Sequence, residues 1–108
     1  MTVADTSGQF SLALGREDRH LVIRLTGELD LASARVLDEC LDRLWGVDMI
    51  VLDVAAVAFC DSTGLTVLAK FHRRAEQHGW RLVVRHPSRQ VADLFQLTEL
   101  DKVLHIVR

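Results

Sequence analysis

Hydrophobic and polar residues alternate near the start of the chain with the period of a β-strand. Phe10, Leu12 and Leu14 are separated by smaller or polar residues, which is typical of a half-buried strand. A polar stretch over residues 15–19 predicts a hairpin turn, and the strand after it is expected to end at residues 26–27. The chain therefore begins with a predicted β-hairpin.

Three later segments repeat apolar residues every three or four positions, the spacing of one helix face. Asp30 and Ser88 can cap the first and third helices, while Gly46 and Gly79 are expected to end the first and second. The second helix follows Ser62. The residues expected to face the core are Ala34, Leu37, Leu41 and Leu44 in the first helix, Leu65, Val67, Leu68, Ala69, Phe71, His72 and Ala75 in the second, and Val91, Leu94 and Phe95 in the third.

Short apolar runs between the helices predict further strands. Residues 49–54 form a nearly continuous run, as in a strand buried on both faces, and residues 81–85 and 103–107 predict two more. The order β-β-α-β-α-β-α-β predicts an α/β fold, a mixed central sheet with helices packed against it. Residues 1–8 are small and polar and are expected to form a loose tail, with residues 9–108 as a single domain.

Composition narrows the classes of function. The chain has 108 residues, of which 49% are hydrophobic, and a net charge of −2, which argues against disorder and against nucleic acid as a partner. No apolar run approaches the ~20 residues that span a bilayer, and no signal peptide is evident, so we expect a cytoplasmic protein without a membrane partner. Two cysteines, Cys40 and Cys60, and five scattered histidines lack metal-ligand spacing, so we expect no metal or other cofactor.

The segment Asp61-Ser62-Thr63-Gly64 carries the strongest chemical signal, because it stands at the predicted start of the second helix. A helix N-terminus has unpaired N–H groups and a partial positive charge, which suit an added phosphate. Ser62 is therefore the leading candidate functional residue. Asp61 either orients the Ser62 hydroxyl and contacts a partner, or caps the helix, and the two roles are compatible.

An enzymatic role for Ser62 is the first alternative. A hydrolase built on Ser62 is disfavoured, because position 60 is Cys where a G-x-S-x-G motif has glycine, and no histidine is an evident base. We therefore expect no enzymatic activity.

Lys70, Arg73 and Arg74 form a basic stripe that starts roughly 12 Å along the helix from Ser62. This stripe is either a solvated face or a docking surface.

Three segments resemble the STAS domains of bacterial anti-sigma-factor antagonists: GELD (residues 27–30), LDVAAVAFCDSTGL (residues 52–65) and LTELDKV (residues 97–103). The resemblance spans about residues 9–107 and implies the STAS fold. It also implies a partner-switching module in transcription regulation and stress response. The unphosphorylated antagonist binds an anti-sigma factor and so releases a sigma factor. That anti-sigma factor is also a serine/threonine kinase that phosphorylates the antagonist, and a PP2C-type phosphatase reverses the modification.

The resemblance also implies roles for individual residues. It makes Ser62 the phosphoacceptor and Thr63 a secondary one, and it places partner contacts at Asp61, Ser62, Thr63 and Gly64. Glu28 and Asp30 would contact the partner from a loop nearby, although by sequence alone Asp30 is more simply explained as a helix cap. An adaptor subunit of a lipid-transport system, or a stressosome-type scaffold, is the alternative within the same fold.

One departure from the family pattern bears on stability. Glu99 stands where glycine is frequent after the third helix. If that position requires a left-handed backbone, a residue with a side chain costs on the order of 1 kcal/mol there.

Overall fold

The computed structural model describes residues 2–4, 10–43 and 46–107. Within them, six strands, three α-helices and one short 3-10 helix follow one another along the chain. They are β1 (Thr2–Ala4), β2 (Phe10–Glu17), β3 (His20–Leu29), α1 (Leu31–Leu41), β4 (Met49–Cys60), α2 (Ser62–His78), β5 (Arg81–Arg85), α3 (Arg89–Leu97), the 3-10 helix (Leu100–Lys102) and β6 (His105–Val107).

The strands form one sheet in chain order, from β1 to β6. The first two strand pairs are antiparallel and the next three are parallel. Each parallel pair is joined by a helix. Because such crossovers are right-handed and all step in the same direction across the sheet, the three helices cover the same face. The mixed α/β sheet expected from the order of elements is confirmed.

The core lies between this face and the helices. Ile23 and Leu52 from the sheet join Leu37 of α1, Leu68 of α2 and Phe95 of α3 in one cluster, and each is at most 1% exposed. Burying a side chain of this size contributes about 1.5–3 kcal/mol. Leu65, Val67, Phe71, Ala75 and Val91 are buried as expected, while Ala34, Ala69, His72 and Leu94 are half-buried. Among the described helices, none combines the length and apolar character needed to cross a bilayer.

The first residues do not form only a loose tail. Thr2–Ala4 is a strand that pairs with residues 11–13 of β2. Hydrogen bonds to an existing strand edge stabilise this short segment, whose own pattern is too weak to predict a strand. The rest of the predicted tail, residue 1 and residues 5–8, lies outside the described residues.

The two central strands run further than predicted. β3 continues past residues 26–27 to Leu29, so Glu28 lies in a strand and not in the expected loop. β4 continues past Val54 through an alanine-rich stretch to Cys60. The two strands pair along this extension, with irregularities after Arg24 and Gly27. Pairing with a neighbour, more than residue preference, holds these ends in the sheet.

Other boundaries also differ. The turn predicted over residues 15–19 is narrower, because β2 reaches Glu17. α1 ends at Leu41 rather than at Gly46, and Leu44, expected on its apolar face, lies outside the described residues. The last strand begins at His105, since the 3-10 helix precedes it.

Three local predictions are confirmed. Ser88 caps α3, and its Oγ accepts a hydrogen bond from the Val91 N–H at 3.2 Å. Gly79 ends α2 with a left-handed backbone, φ 72°. Glu99 has φ 61°, so this non-glycine residue does occupy the left-handed region.

Candidate functional site

β3 and β4 are parallel and end side by side, with Leu29 opposite Cys60. A helix follows each strand at once: Asp30 precedes α1 and Asp61 precedes α2. The positive ends of two helix dipoles therefore meet at one edge of the sheet. We call residues 28–30 and 59–64 the helix-start surface.

Asp30 caps α1 by a reciprocal arrangement. Its Oδ1 accepts hydrogen bonds from the N–H groups of Ala32 and Ser33, at 3.1 and 3.2 Å. The Oγ of Ser33 in turn accepts from the Asp30 N–H at 2.7 Å. A cap of this kind is worth about 1 kcal/mol. The capping role predicted for Asp30 is confirmed.

Asp61 caps α2 in a similar way. Its Oδ1 accepts from the Gly64 N–H at 2.9 Å, and its carbonyl oxygen accepts from the Leu65 N–H at 3.0 Å. The capping interpretation of Asp61 is therefore confirmed, and the same residue holds the backbone that carries Ser62.

Ser62 is the first residue of α2, and it is exposed. Its carbonyl oxygen accepts a hydrogen bond from Thr66 Oγ1 at 3.0 Å. Within the described part of the chain, its hydroxyl has no hydrogen-bond partner. Thr63 is half-buried, so Ser62 is the more accessible of the two hydroxyl residues.

Gly64 lies directly against the end of β3. A Cβ at this position would stand 2.1 Å from the carbonyl oxygen of Leu29 and 3.0 Å from Cys60 Sγ. Only glycine therefore allows the first turn of α2 to lie this close to the strand. Sequence reasoning included Gly64 among the partner contacts but did not reveal this contact.

Cys60 fills the space beneath the start of α2. It is 5% exposed. Burial raises the pKa of the thiol to about 11, and the charge of Asp61 adds to that effect. The sulfur is therefore protonated at neutral pH, and its role here is packing rather than nucleophilic chemistry.

Phe59 is an exposed aromatic residue three positions before Ser62. It lies opposite Glu28 in the pairing of β3 with β4 and is 47% exposed, whereas Glu28 is half-buried. Large exposed apolar side chains are common in protein interfaces. The sequence analysis assigned Phe59 no role, because a lone aromatic residue in an apolar stretch carries no signal of an interface.

An ion network occupies the sheet face opposite the helices. Asp53 Oδ2 lies 3.2 Å from Arg85 Nη2 and 3.7 Å from Arg24 Nε, and Asp53 Oδ1 accepts from the Ala55 N–H at 3.0 Å. Burial alone would raise the pKa of Asp53. The Ala55 N–H and both guanidinium groups outweigh burial, so the pKa lies below its usual range. The network ties β3, β4 and β5 together where β5 ends.

The basic stripe on α2 divides into two parts. Arg74 forms an ion pair with Asp42 and so joins α2 to the end of α1. Lys70 and Arg73 are exposed beside an open cleft of about 230 Å³ between the two helices, over Phe71 and neighbouring apolar residues. Arg74 therefore has a structural role, whereas Lys70 and Arg73 line the open cleft.

Comparison with known proteins identifies the family. Residues 12–108 match the family model described as "Mlab, STAS domain". The chain belongs to the STAS family, as the three sequence segments indicated.

Relatives and solved structures agree with that assignment. The anti-sigma-B factor antagonist of Staphylococcus aureus is 27% identical over 92 residues, which cover 83% of this chain and 85% of the relative. The anti-sigma factor antagonist SpoIIAA in its unphosphorylated form matches with a TM-score of 0.74 and 24% identity, over 90% of this chain and 88% of that one. The phosphorylated form of Bacillus SpoIIAA matches with a TM-score of 0.69 and 23% identity, over 90% of this chain and 91% of that one. The predicted STAS fold is confirmed.

Proposed function

We propose that this chain is an anti-sigma-factor antagonist that acts as a partner switch. In its unphosphorylated form it binds a kinase-type anti-sigma factor through the helix-start surface, which releases a sigma factor. Phosphorylation of Ser62 by that kinase ends the complex, and a PP2C-type phosphatase restores it. The chain is then a kinase substrate and a binding partner, not an enzyme. The exposed hydroxyl of Ser62, without a partner in the described part of the chain, carries this proposal.

The names of relatives support the proposal. The Staphylococcus aureus relative is named an anti-sigma-B factor antagonist. SpoIIAA has been solved in both phosphorylated and unphosphorylated forms, and both resemble the fold of this chain. That similarity supports a modification that leaves the fold in place.

Energetics favour an effect on binding rather than on folding. A phosphoryl group adds about −1.5 to −2 charge. The start of α2 favours such a charge by about 0.3–1 kcal/mol, and the neighbouring Asp61 carboxylate opposes it. Both terms are small beside an ordinary domain stability of about 5–15 kcal/mol.

The same phosphoryl group has a much larger free-energy cost when it is buried at an interface. Burying a doubly charged phosphate without a partner costs several kcal/mol. A micromolar complex is worth about 8 kcal/mol in total. Phosphate on Ser62 would therefore block a closely fitted complex directly.

Capture from a native lysate tests the proposal. Wild type, Ser62→Ala and Ser62→Asp are immobilised, and retained proteins are identified by mass spectrometry. An anti-sigma factor should be retained by the first two and lost by the third. With ATP and Mg²⁺ it should phosphorylate wild type and a Thr63→Ala control, but not Ser62→Ala. Equal retention by Ser62→Asp would contradict the proposal.

A second candidate is an adaptor subunit of a lipid-transport system. The matched family model bears the name Mlab rather than that of an antagonist, so family membership alone does not select the antagonist function. In the same experiment, a transporter ATPase retained equally by all three proteins would favour the adaptor.

A further inference from the structure

β4 continues beyond the end of β5. β5 pairs with β4 from Met49 to Asp53, whereas β3 accompanies β4 to Cys60. Among the described residues, no strand lies beside residues 54–60 on the β5 side. This stretch, the open edge of β4, leads directly to Asp61 and Ser62.

The open edge is accessible. Ala55, Ala56 and Ala58 are exposed, and Phe59 follows them at 47% exposure. A groove of about 350 Å³ runs along the edge and is bounded on its other side by the start of α3, at Ser88 and Gln90. The small alanine side chains leave room for another backbone to approach closely.

Hydrogen bonding along this edge is incomplete. The Ala55 N–H donates to Asp53 Oδ1 at 3.0 Å, so beyond the end of β5 the Asp53 carboxylate replaces a backbone acceptor of the neighbouring strand. Further along, the backbone groups that face away from β3 have no backbone partner in the part of the chain that the structure describes.

The edge has only part of the usual protection against strand addition: two irregularities in its pairing with β3 fall within it, between Asp53 and Ala56 and at Ala58. Natural edge strands carry charged residues or proline that prevent pairing with another chain. The open edge, with the sequence VAAVAFC, contains neither.

We infer that the open edge of β4 is the docking site for an extended segment of the anti-sigma factor, which adds a strand to the sheet beside Ser62. This inference rests on the proposed function. Between and beyond the two irregularities, the unpaired N–H and C=O groups of the open edge are complementary to another extended backbone. Larger side chains of the incoming strand fit over the alanines, and Phe59 offers an apolar anchor. Ser62 follows the end of the open edge by two residues, so a phosphate on it would lie close to one end of the docked strand.

Amide hydrogen exchange of the chain, alone and with the purified anti-sigma factor, tests the inference. Residues 55–60 should gain protection in the complex. Ala58→Lys and Ala58→Glu should each weaken binding by about tenfold or more, because either charge opposes strand addition. A purely electrostatic effect would have opposite signs in the two variants. Gln96→Lys, at an exposed position of α3, is the matched control and should bind like wild type.

Each remaining outcome overturns the inference. If the complex protects residues 62–65 while residues 55–60 exchange as in the free chain, the proposed function stands and the docking strand is overturned. Failure of the anti-sigma factor to bind overturns both the docking strand and the proposed function. Protection of residues 55–60 in the chain alone, increasing with its concentration, would identify a second copy as the occupant.

Discussion

Gly64 and Leu29 are in direct backbone contact: a Cβ at position 64 would stand 2.1 Å from the Leu29 carbonyl oxygen. This contact joins the first turn of α2 to the end of β3. Since α1 begins two residues after Leu29, the starts of both helices are held in one arrangement. Ser62 is thereby positioned on the same surface as Asp30.

Gly64→Ala should lower the free energy of unfolding by about 3 kcal/mol, because the added methyl group meets backbone rather than a movable side chain. Urea unfolding followed by circular dichroism measures this effect. Gly15→Ala is the matched control, since a Cβ there has no neighbour within 4 Å. Its expected change is within about 1 kcal/mol. Similar losses in the two variants would contradict a specific contact at Gly64.

Asp61 has a capping role that can be separated from its charge. Asp61→Ala removes the acceptor for the Gly64 N–H and should cost about 1 kcal/mol of stability. Asp61→Asn retains an acceptor and should unfold like wild type. If the carboxylate also contacts the anti-sigma factor, Asp61→Asn weakens binding while thermal unfolding stays unchanged. Wild-type affinity of Asp61→Asn would restrict this residue to capping.

Glu99 holds a left-handed backbone without being glycine. Glu99→Gly should therefore raise the free energy of unfolding by about 0.5–1 kcal/mol, the relief of strain less the greater freedom of glycine in the unfolded chain. Glu99→Ala keeps the strain and loses the exposed ion pair with Lys102, so it should bring no gain. Equal stability of these two variants in denaturant titrations would show that the backbone is not strained.

Asp53 should make stability depend on pH. Its pKa is lower in the fold than the value of about 3.9 in an unfolded chain. Its charge therefore stabilises the fold above about pH 4, and this contribution is lost as pH falls through the lower, folded pKa. Asp53→Asn should flatten the curve of unfolding free energy in that acidic range.

A surface ion pair provides the control for Asp53. A hydrogen bond from Arg19 lowers the pKa of Asp48, but the two side chains are 59% and 55% exposed, so salt screens their interaction. At high salt, Asp48→Asn should leave the acidic part of the curve as in wild type, whereas Asp53→Asn should still flatten it. The same curve for both variants would argue against a special role of the buried network.

Local signals made much of the fold predictable. The helix caps at Asp30 and Ser88, the stop at Gly79 and the apolar spacing of α2 depend on residues close together in the chain, and the structure has all of them. The placement of Ser62 at a helix start was predictable for the same reason.

Features that depend on distant pairing were not predictable. β4 reaches Cys60 only because β3 accompanies it, and β1 forms only on the edge of β2. Nothing near Gly64 in sequence indicates Leu29 as its neighbour. Nothing near Phe59 in sequence indicates that its side chain is 47% exposed, since this depends on how β4 pairs with its neighbours.

The affinity of the anti-sigma factor for the chain before and after phosphorylation of Ser62 tests the central claim most directly. Both forms are prepared from wild type, the modified residue is verified by mass spectrometry, and binding is measured by calorimetry. We predict at least about a hundredfold weaker binding of the phosphorylated form, with an unchanged circular dichroism spectrum. Equal affinities of the two forms would contradict the partner switch.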